Sequence, residues 1–589
     1  MPTPPQNITY RPLNKGMFLH LPAEAIPDEA VVRARNVRVT PLGIQRRDGY
    51  ASYAGSTAVP TGSRPLYAFV PVWKTDGTQF NALLTNKYVY GVGLATLTPY
   101  YWPYSTGKIK TSSGVYLKGQ ATTFTNPANY LRVGDIVVIS TASAAVSTVN
   151  NATLITLATS VATFAISTAY HIRRALSHND TWSYDTAVIG NTVIISDRTR
   201  PLYVFTGVTL SNYMVSPYRP GCVTIFKDRM FIGNVVESIS PGATSEYRQR
   251  IRWSGVTGTP RSFAAADYLD LEYTPGALLR HVPMGNLLIA YFQDALYYGV
   301  PTNNPDLPYS FNRIETPGIG LAGPHAVCQG PGGHYFVGTD DIYFLPADPR
   351  GGPQSIGVPV VEESIATCEN KLRIYAAPDP LRHRVVFGFP ITGSNIARIW
   401  SFDLRSKAWS YEDVEADMLA NPLLNLNLTI ADLTGTITGL DASYTTIDSM
   451  TAVGGSNDLF IGQSGTLYKA AEDASTDTWG TPTVEVITGD KDLGDPGIDK
   501  TFLELWIRLS GRPSTALTFA VSASDNGGIS WSGLGNLTVA ATEREGRVAF
   551  AFTGASVRFR LISTTAATPY TIISLQLRIK GRGKGAELD

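Results

Sequence analysis

The chain has 589 residues, 43% of them hydrophobic and only 16% charged, and its 48 Lys and Arg balance 48 Asp and Glu to a formal net charge of zero. That balance excludes a global field drawing in nucleic acid or an anionic membrane, and with it tight sequence-independent DNA binding, which needs many cations on phosphates; DNA sliding past a neutral wall stays allowed. The length calls for about three or four domains, or fewer if one is a large β architecture, and 54 Gly, 38 Pro and 30 Tyr favour strands and turns.

Cys222, Cys328 and Cys368 are odd in number and far apart, so buried free thiols are expected rather than a disulfide framework. The opening MPTPPQNITYRPLNKG has no basic segment followed by an apolar one, which predicts no signal peptide. No run approaches ~18 apolar residues, which predicts no membrane span.

In chain order, the segment up to Asn36 allows one short helix, with Pro27 ahead of Asp28 as its N-cap. Beyond it Val37, Val39 and Ile44 alternate with polar neighbours across the turn Pro41-Leu42-Gly43, which predicts a hairpin. A cassette then recurs: an apolar run, a polar turn, and a second run carrying Tyr or Phe. It occupies residues 81–94, 186–205, 222–236, 285–300, 334–345, 384–409 and 458–470, with turns such as Gly190-Asn191, Lys227-Asp228, Gln293-Asp294, Asp340-Asp341 and Gln463-Ser464-Gly465. Each cassette reads as a β-hairpin. Radial repetition at a spacing of roughly 40 to 70 residues is the mark of a β-propeller, here of roughly five to eight blades.

Two segments break the repeat. Residues 108–174 are poor in charge and rich in Thr, Ala and Val, with an apolar strand after Gly134-Asp135 and further runs at 154–157 and 164–166; this reads as a small β-barrel or sandwich inserted in the ring. From about Pro482, alternating strands at 502–509, 517–522, 547–552, 557–561 and 572–579 predict a β-sandwich. The Gly-rich tail with Arg578, Lys580, Arg582 and Lys584 reads as a solvated or partner-bound end. The fold class is therefore all-β: a β-propeller body, an inserted small β-barrel or sandwich domain, and a C-terminal β-sandwich. The expected division is 1–107 for the N-terminal segment and the first part of the propeller, 108–176 for the insertion, 177–481 for the rest of the propeller, and 482–589 for the sandwich.

Motifs that carry chemistry elsewhere fail on context. Gly318, Gly320 and Gly323 match G-x-G-x-x-G, with Asp340 and Asp341 at a suitable distance, but the following HAVCQGPGG cannot build the helix that a dinucleotide site needs. These glycines read as punctuation between blades. Ser524-Asp525-Asn526-Gly527-Gly528-Ile529-Ser530-Trp531 resembles an Asp box with Asn526 in place of Asp, a pattern that closes a hairpin. Asp490-Lys491-Asp492-Leu493-Gly494-Asp495 is acidic but lacks the Gly and Glu of an EF-hand loop. Glu362, Glu363, Asp267 and Asp270 have nothing to pair them as glycosidase carboxylates, and His171 and His178 have no third ligand nearby. Tyr100, Tyr101, Trp102, Tyr104, Trp182 and Tyr184 cluster at the insertion boundaries, where packing of the inserted unit on the ring explains them. There is no G-x-S-x-G, Walker A or H-E-x-x-H. The sequence predicts no enzyme and no catalytic, cofactor-binding or metal-binding residue.

Several stretches in order carry a resemblance: NVRVTPLGIQRRDGY near the start, IRWSGVTGTPRSF at 251–263, LLIAYFQDALYYG, GIGLAGPHAVCQGPGGHYFVGTDDIYFLP, IWSFDLRSKAWS at 399–410, and KDLGDPGIDKTFLELWIRL at 491–509. Taken together they resemble the tail nozzle or tail hub proteins of short-tailed bacteriophages, also called packaged-DNA stabilisation proteins. The resemblance is one of loose patterns over most of the chain. It implies a β-propeller body, a homohexameric ring distal to a tail adaptor protein, lateral contacts with tail fibres or spikes, and transient non-specific contact with packaged DNA in a channel. It also implies a place in the virion tail after synthesis in the host cytoplasm. The competing reading is a carbohydrate-binding or glycan-cleaving propeller, an adhesin or sialidase-like protein. A WD40-like scaffold is disfavoured because the Gly-His and Trp-Asp repeat is missing.

Overall fold

A computed structural model of the chain describes residues 6–10, 13–53 and most of 58–581. The longest stretches outside the description are 101–107, 121–135, 174–182, 423–457 and 582–589. Of the sequence features above, residues 130–135, the strand 164–166, Tyr101, Trp102, Tyr104, Trp182, His178, Leu493 to Asp495, Arg582 and Lys584 lie outside the described residues.

Among the described residues the body is a β-propeller of seven four-stranded antiparallel blades. Blade 1 is built from Leu66–Trp73, Gln79–Thr85, Val89–Val92 and Leu97–Tyr100. Blades 2 to 6 begin with the strands Asp185–Ile189, Tyr218–Phe226, Leu278–Met284, Val327–Gly330 and Tyr375–Asp379. Blade 7 combines Met418–Ala420, Phe460–Gln463 and Thr466–Ala471 with Gly49–Ser52 from the other end of the chain. The N-terminal strand thus closes the ring, with Tyr50 paired to Ala470 and Ser52 to Tyr468. Each cassette seen in the sequence falls in a different blade. The tight turns are as their residues require: Lys227 and Asp228 both take positive φ, as do Ser464 and Gly465, the geometry that matches the right-handed twist of a hairpin.

Packing between blades explains why their second strands are continuous apolar runs. Gly333–Val337 in blade 5 and Arg384–Pro390 in blade 6 are buried at every position, because a neighbouring blade covers each face. The core accordingly runs around the ring. One cluster joins blades 1 and 2 through Val72, Leu84, Tyr184 and Ile195. Others join blades 2 and 3 through Ile194, Met230 and Ile232, and blades 3 and 4 through Phe231, Trp253, Leu288 and Tyr309. A further one joins blades 6, 7 and 1 through Ile399, Phe460, Leu83 and Tyr50.

The insertion between blades 1 and 2 is a six-stranded sheet with its own core of Ile109, Leu117, Val137, Ile139 and Ile155. Ile109 on its first strand exchanges hydrogen bonds with Thr168, just ahead of its last strand, so the sheet curls back into a small barrel. The C-terminal sandwich runs from Val484–Thr488 to Thr571–Gly581. Its strands alternate buried and open positions along Lys500–Leu509 and Leu517–Ser524, the signature of an antiparallel sheet with one solvated face. Arg578 and Lys580 are exposed on its last strand.

Residues before the closing strand belong with this sandwich. Gln6–Tyr10 and Gly43–Arg46 pair with Thr571–Gly581, and Ala30–Arg35 pairs with Val484–Thr488. Ala30–Arg35 also touches blade 6, Arg35 facing Tyr411, so one sixteen-stranded sheet runs from blade 6 into the sandwich. Here the short helix expected before Asn36 is replaced by a strand; only a 3-10 turn, Ala23–Ala25, is helical. Val31 and Val32 favour an extended backbone, and the pairing with Val484–Thr488 outweighs a weak capping signal. The hairpin beyond it forms as expected, Val37–Thr40 against Gly43–Arg46. The three cysteines are free and buried.

Where the N-terminal segment meets the ring, charges are buried. Arg47 donates to both Asp477 oxygens at 2.8 and 2.5 Å. Arg384 reaches Glu412 at 2.5 Å and Asp379 at 2.8 Å, and Arg382 reaches Asp48 at 2.6 Å and Asp379 at 3.3 Å. Tyr50 donates its hydroxyl to Glu412 at 2.9 Å. The Arg384 guanidinium, and that of Arg47 further off, holds the Glu412 carboxyl below its ordinary range against the opposing effect of burial. Glu412→Ala leaves two buried guanidinium groups without this partner. It is expected to cost about 3–5 kcal/mol, read as a lower denaturant midpoint, while Glu545→Ala at the half-exposed pair with Arg508 costs less than about 1 kcal/mol.

Candidate functional site

The first strands of the blades lie toward the propeller axis, and those of blades 2, 3 and 4 and of blades 5, 6, 7 and 1 touch in succession. A cavity of about 270 Å³ lies on that axis, lined from six blades by Tyr67, Thr186, Arg280, Val327, Tyr375 and Leu419. At ~30 Å³ per water, it is room for about nine waters.

Side chains cross the axis at this cavity. His325, just ahead of the first strand of blade 5, shares a 2.7 Å hydrogen bond through Nε2 with the Ser183 hydroxyl, just ahead of blade 2 on the far side of the ring. The His325 ring stacks on Tyr375 of blade 6, centroids 4.9 Å apart and planes within 2°. Tyr375 donates its hydroxyl to the Tyr67 carbonyl of blade 1 at 3.3 Å. Arg280 of blade 4 donates to the Pro324 carbonyl at 3.2 Å and lies 3.7 Å from Asp185 of blade 2. Asp185 in turn accepts from the Thr186 and Val223 amides, which ties blade 2 to blade 3. Burial raises the Asp185 carboxyl, with Arg280 and the two amides opposing. Burial also raises the Tyr375 hydroxyl. The arrangement is a plug: the His325–Ser183 bond and the Arg280–Asp185 contact join non-adjacent parts of the ring across the axis, and the bonds to Pro324, Val223 and Tyr67 tie blades together beside them. A DNA duplex, whose major groove alone is about 12 Å wide, cannot thread it.

Residues singled out in the sequence are scattered by the fold. Gly318 to Gly323 link blades 4 and 5 and lead into a strand, Val327–Gly330, with no helix to hold a pyrophosphate. A Cβ on Gly320 would sit 2.2 Å from the Gln293 carbonyl, so the loop needs glycine for close approach to a turn of blade 4. Asp340 accepts from the Tyr343 hydroxyl at 3.0 Å, and Asp341 caps the Ile342 amide at 2.6 Å and accepts from Ser355, which is turn chemistry. Asp270 is paired with Arg250 in blade 3, and Glu363 with Arg398 of blade 6, while Glu362 is exposed; with Asp267 they do not converge. Asn526 accepts from the Ser530 amide at 3.0 Å and closes a hairpin of the sandwich, away from the ring. Asp490 is held by two hydrogen bonds from Arg558. Among the described residues no group of three or more His, Cys, Asp or Glu is placed to hold a metal ion. His325, Ser183, Arg280 and Asp185 carry no motif. The one pointer to them is position, at or near the start of a blade's first strand.

No protein-family model matches the chain, and no curated protein matches it in sequence. Solved structures similar to it include YCF48 bound to D1 peptide, 10% identical, covering 72% of this chain and 98% of that one with a TM-score of 0.32. BamB from Moraxella catarrhalis is 9% identical, covering 58% and 91%, with a TM-score of 0.26. An exo-beta-1,3-galactanase from Phanerochaete chrysosporium is 10% identical, covering 68% and 95%, with a TM-score of 0.25.

Two histidines deserve separation from any acid–base role. His334 of blade 5 donates Nε2–H to the Pro283 carbonyl at 3.1 Å and accepts at Nδ1 from Tyr291 at 2.9 Å, both in blade 4. His281 packs against Cys222, its Nδ1 3.5 Å from the sulfur. Burial pushes His281 down to about 3 and His334 to about 4. Above pH 6.5, the ordinary histidine value, both rings are neutral folded or unfolded. As pH falls below that, the unfolded chain takes up protons that the folded chain refuses, so stability is lost toward pH 4. His281→Leu is expected to flatten the fall in unfolding free energy over this window by about 1.4 kcal/mol per pH unit. Denaturant titrations at several pH values measure it; an unchanged slope would mean His281 is charged in the folded protein.

Proposed function

We propose that this chain is a structural subunit of a short-tailed phage virion, the tail nozzle or hub, forming a homohexameric ring around a lumen that retains and then conducts DNA. The observation that carries the reading is the plugged axis. The His325–Ser183 bond and the Arg280 contacts cross the propeller's own centre and leave only a cavity of about 270 Å³ there, so any conduit for DNA has to run between copies rather than through one. Three further features support it. The N-terminal strand closes the ring by hydrogen-bonded pairing within blade 7, and a continuous sheet joins the propeller to the sandwich, which gives a stiff building block. Closed blades leave few free strand edges. Zero net charge suits a wall past which phosphates slide rather than bind. Heterologous contacts whose rotation closes make such a ring, and adaptor, fibre and spike proteins occupy its outer surfaces in this reading.

Native mass measurement and electron microscopy of the purified chain, alone and with an adaptor protein, test it. The expected outcome is a sixfold ring with an open lumen between subunits. A stable monomer that binds glycans would instead support a carbohydrate-binding propeller and overturn the nozzle reading.

A further inference from the structure

A second cavity, of about 270 Å³, lies between the N-terminal hairpin and blade 6. Guanidinium groups dominate its lining: Arg38 from the hairpin, Arg382 and Arg384 at the head of the second strand of blade 6, and Arg405 from the turn after the third strand, Ile396–Asp403. The acidic residue of the lining is Asp403, whose Oδ1 already accepts from the Arg405 and Ser406 amides and the Ser406 hydroxyl.

The deeper carboxylates do not use up the arginine donors. Asp48 accepts from Arg382 Nε at 2.6 Å and lies 3.7 Å from Arg38 Nη1. Asp379 accepts from Arg382 Nη1 at 3.3 Å and Arg384 Nε at 2.8 Å. Arg38 Nε and Arg382 Nη2 are buried with no hydrogen-bond acceptor. The Arg382 side chain is only 1% exposed. Buried donors are rarely left without an acceptor, least of all on a charged group. Guanidinium groups facing one space match the several acceptor lone pairs of an oxyanion.

We propose that this cavity is a binding site for a small oxyanion, inorganic phosphate or a small carboxylate, held by Arg38 and Arg382 with Arg405 at the rim. Such a ligand would bridge the N-terminal hairpin and blade 6, and so would tighten the joint between the sandwich and the ring.

Thermal melting of the full chain in phosphate, in acetate and in chloride at matched ionic strength tests this. The expected result is a saturable rise in Tm in at least one of the two oxyanions that chloride does not reproduce; which one raises it assigns the ligand. Arg405→Gln changes an exposed side chain outside the buried ion pairs, so its Tm in chloride should match the wild type while its oxyanion affinity falls roughly tenfold or more. Arg38→Met should weaken binding at least as much. No saturable rise in either oxyanion, or a rise equally strong in both variants, would overturn the proposal and leave the cavity to water.

Discussion

Arg47 reaches Asp477 with two hydrogen bonds inside the protein, and from there buried charges run through Glu412 and Arg384 to Asp379, Arg382 and Asp48. With Arg38 beside Asp48, four guanidinium groups face four carboxylates. Desolvating each ion costs several kcal/mol, so a matched apolar cluster could be as stable. What charges add is selectivity, since these pairings form in one arrangement only. Here that arrangement fixes where the N-terminal segment lies. Asn36, in a left-handed conformation, reinforces it: its side chain donates to the Thr483 carbonyl and accepts from Arg47 and the Asp413 amide. One residue thus joins the hairpin, blade 6 and the approach to the sandwich.

Several consequences follow from that joint. Because residues 30–46 are pinned to the sandwich and blade 6, Gly49–Ser52 is delivered to the open edge of blade 7 and the ring closes. Because the ring closes, first strands from six of the blades converge on the axial cavity, and side chains meet across it. His325 can then bond to Ser183 although the two lie in blades separated by two others. The axial plug is therefore a product of closure.

What could be read from the sequence was local. A hairpin needs only two neighbouring runs and a turn, so cassettes such as 222–236 and 458–470 announced themselves, and their spacing announced a propeller. Long-range pairing leaves no such trace. Nothing in GYAS at 49–52 says that its partner is Thr466–Ala471, nor does VVRAR before Asn36 name Val484–Thr488; the Asp28 cap pointed to a helix instead. The charge network was hidden for the same reason, its members lying at 38, 47–48, 379–384, 412 and 477. Readings of local turns were sounder, because context decided them: the glycines at 318–323 link two blades ahead of a strand, and Asp340 and Asp341 sit in a tight turn. The plug escaped because His325 and Ser183 have ordinary neighbours, and only the closed ring brings them together.

Amide hydrogen exchange resolved along the whole chain measures the central claim most directly, that the N-terminal segment is integral to the ring. If the buried charges weld closing strand, blade 6 and sandwich into one unit, amides of 49–52 and 466–471 will exchange at the slow rate of 384–390 and 484–488. Exchange at 49–52 and 466–471 much faster than in the other two strands would show a ring that opens independently, and would contradict it.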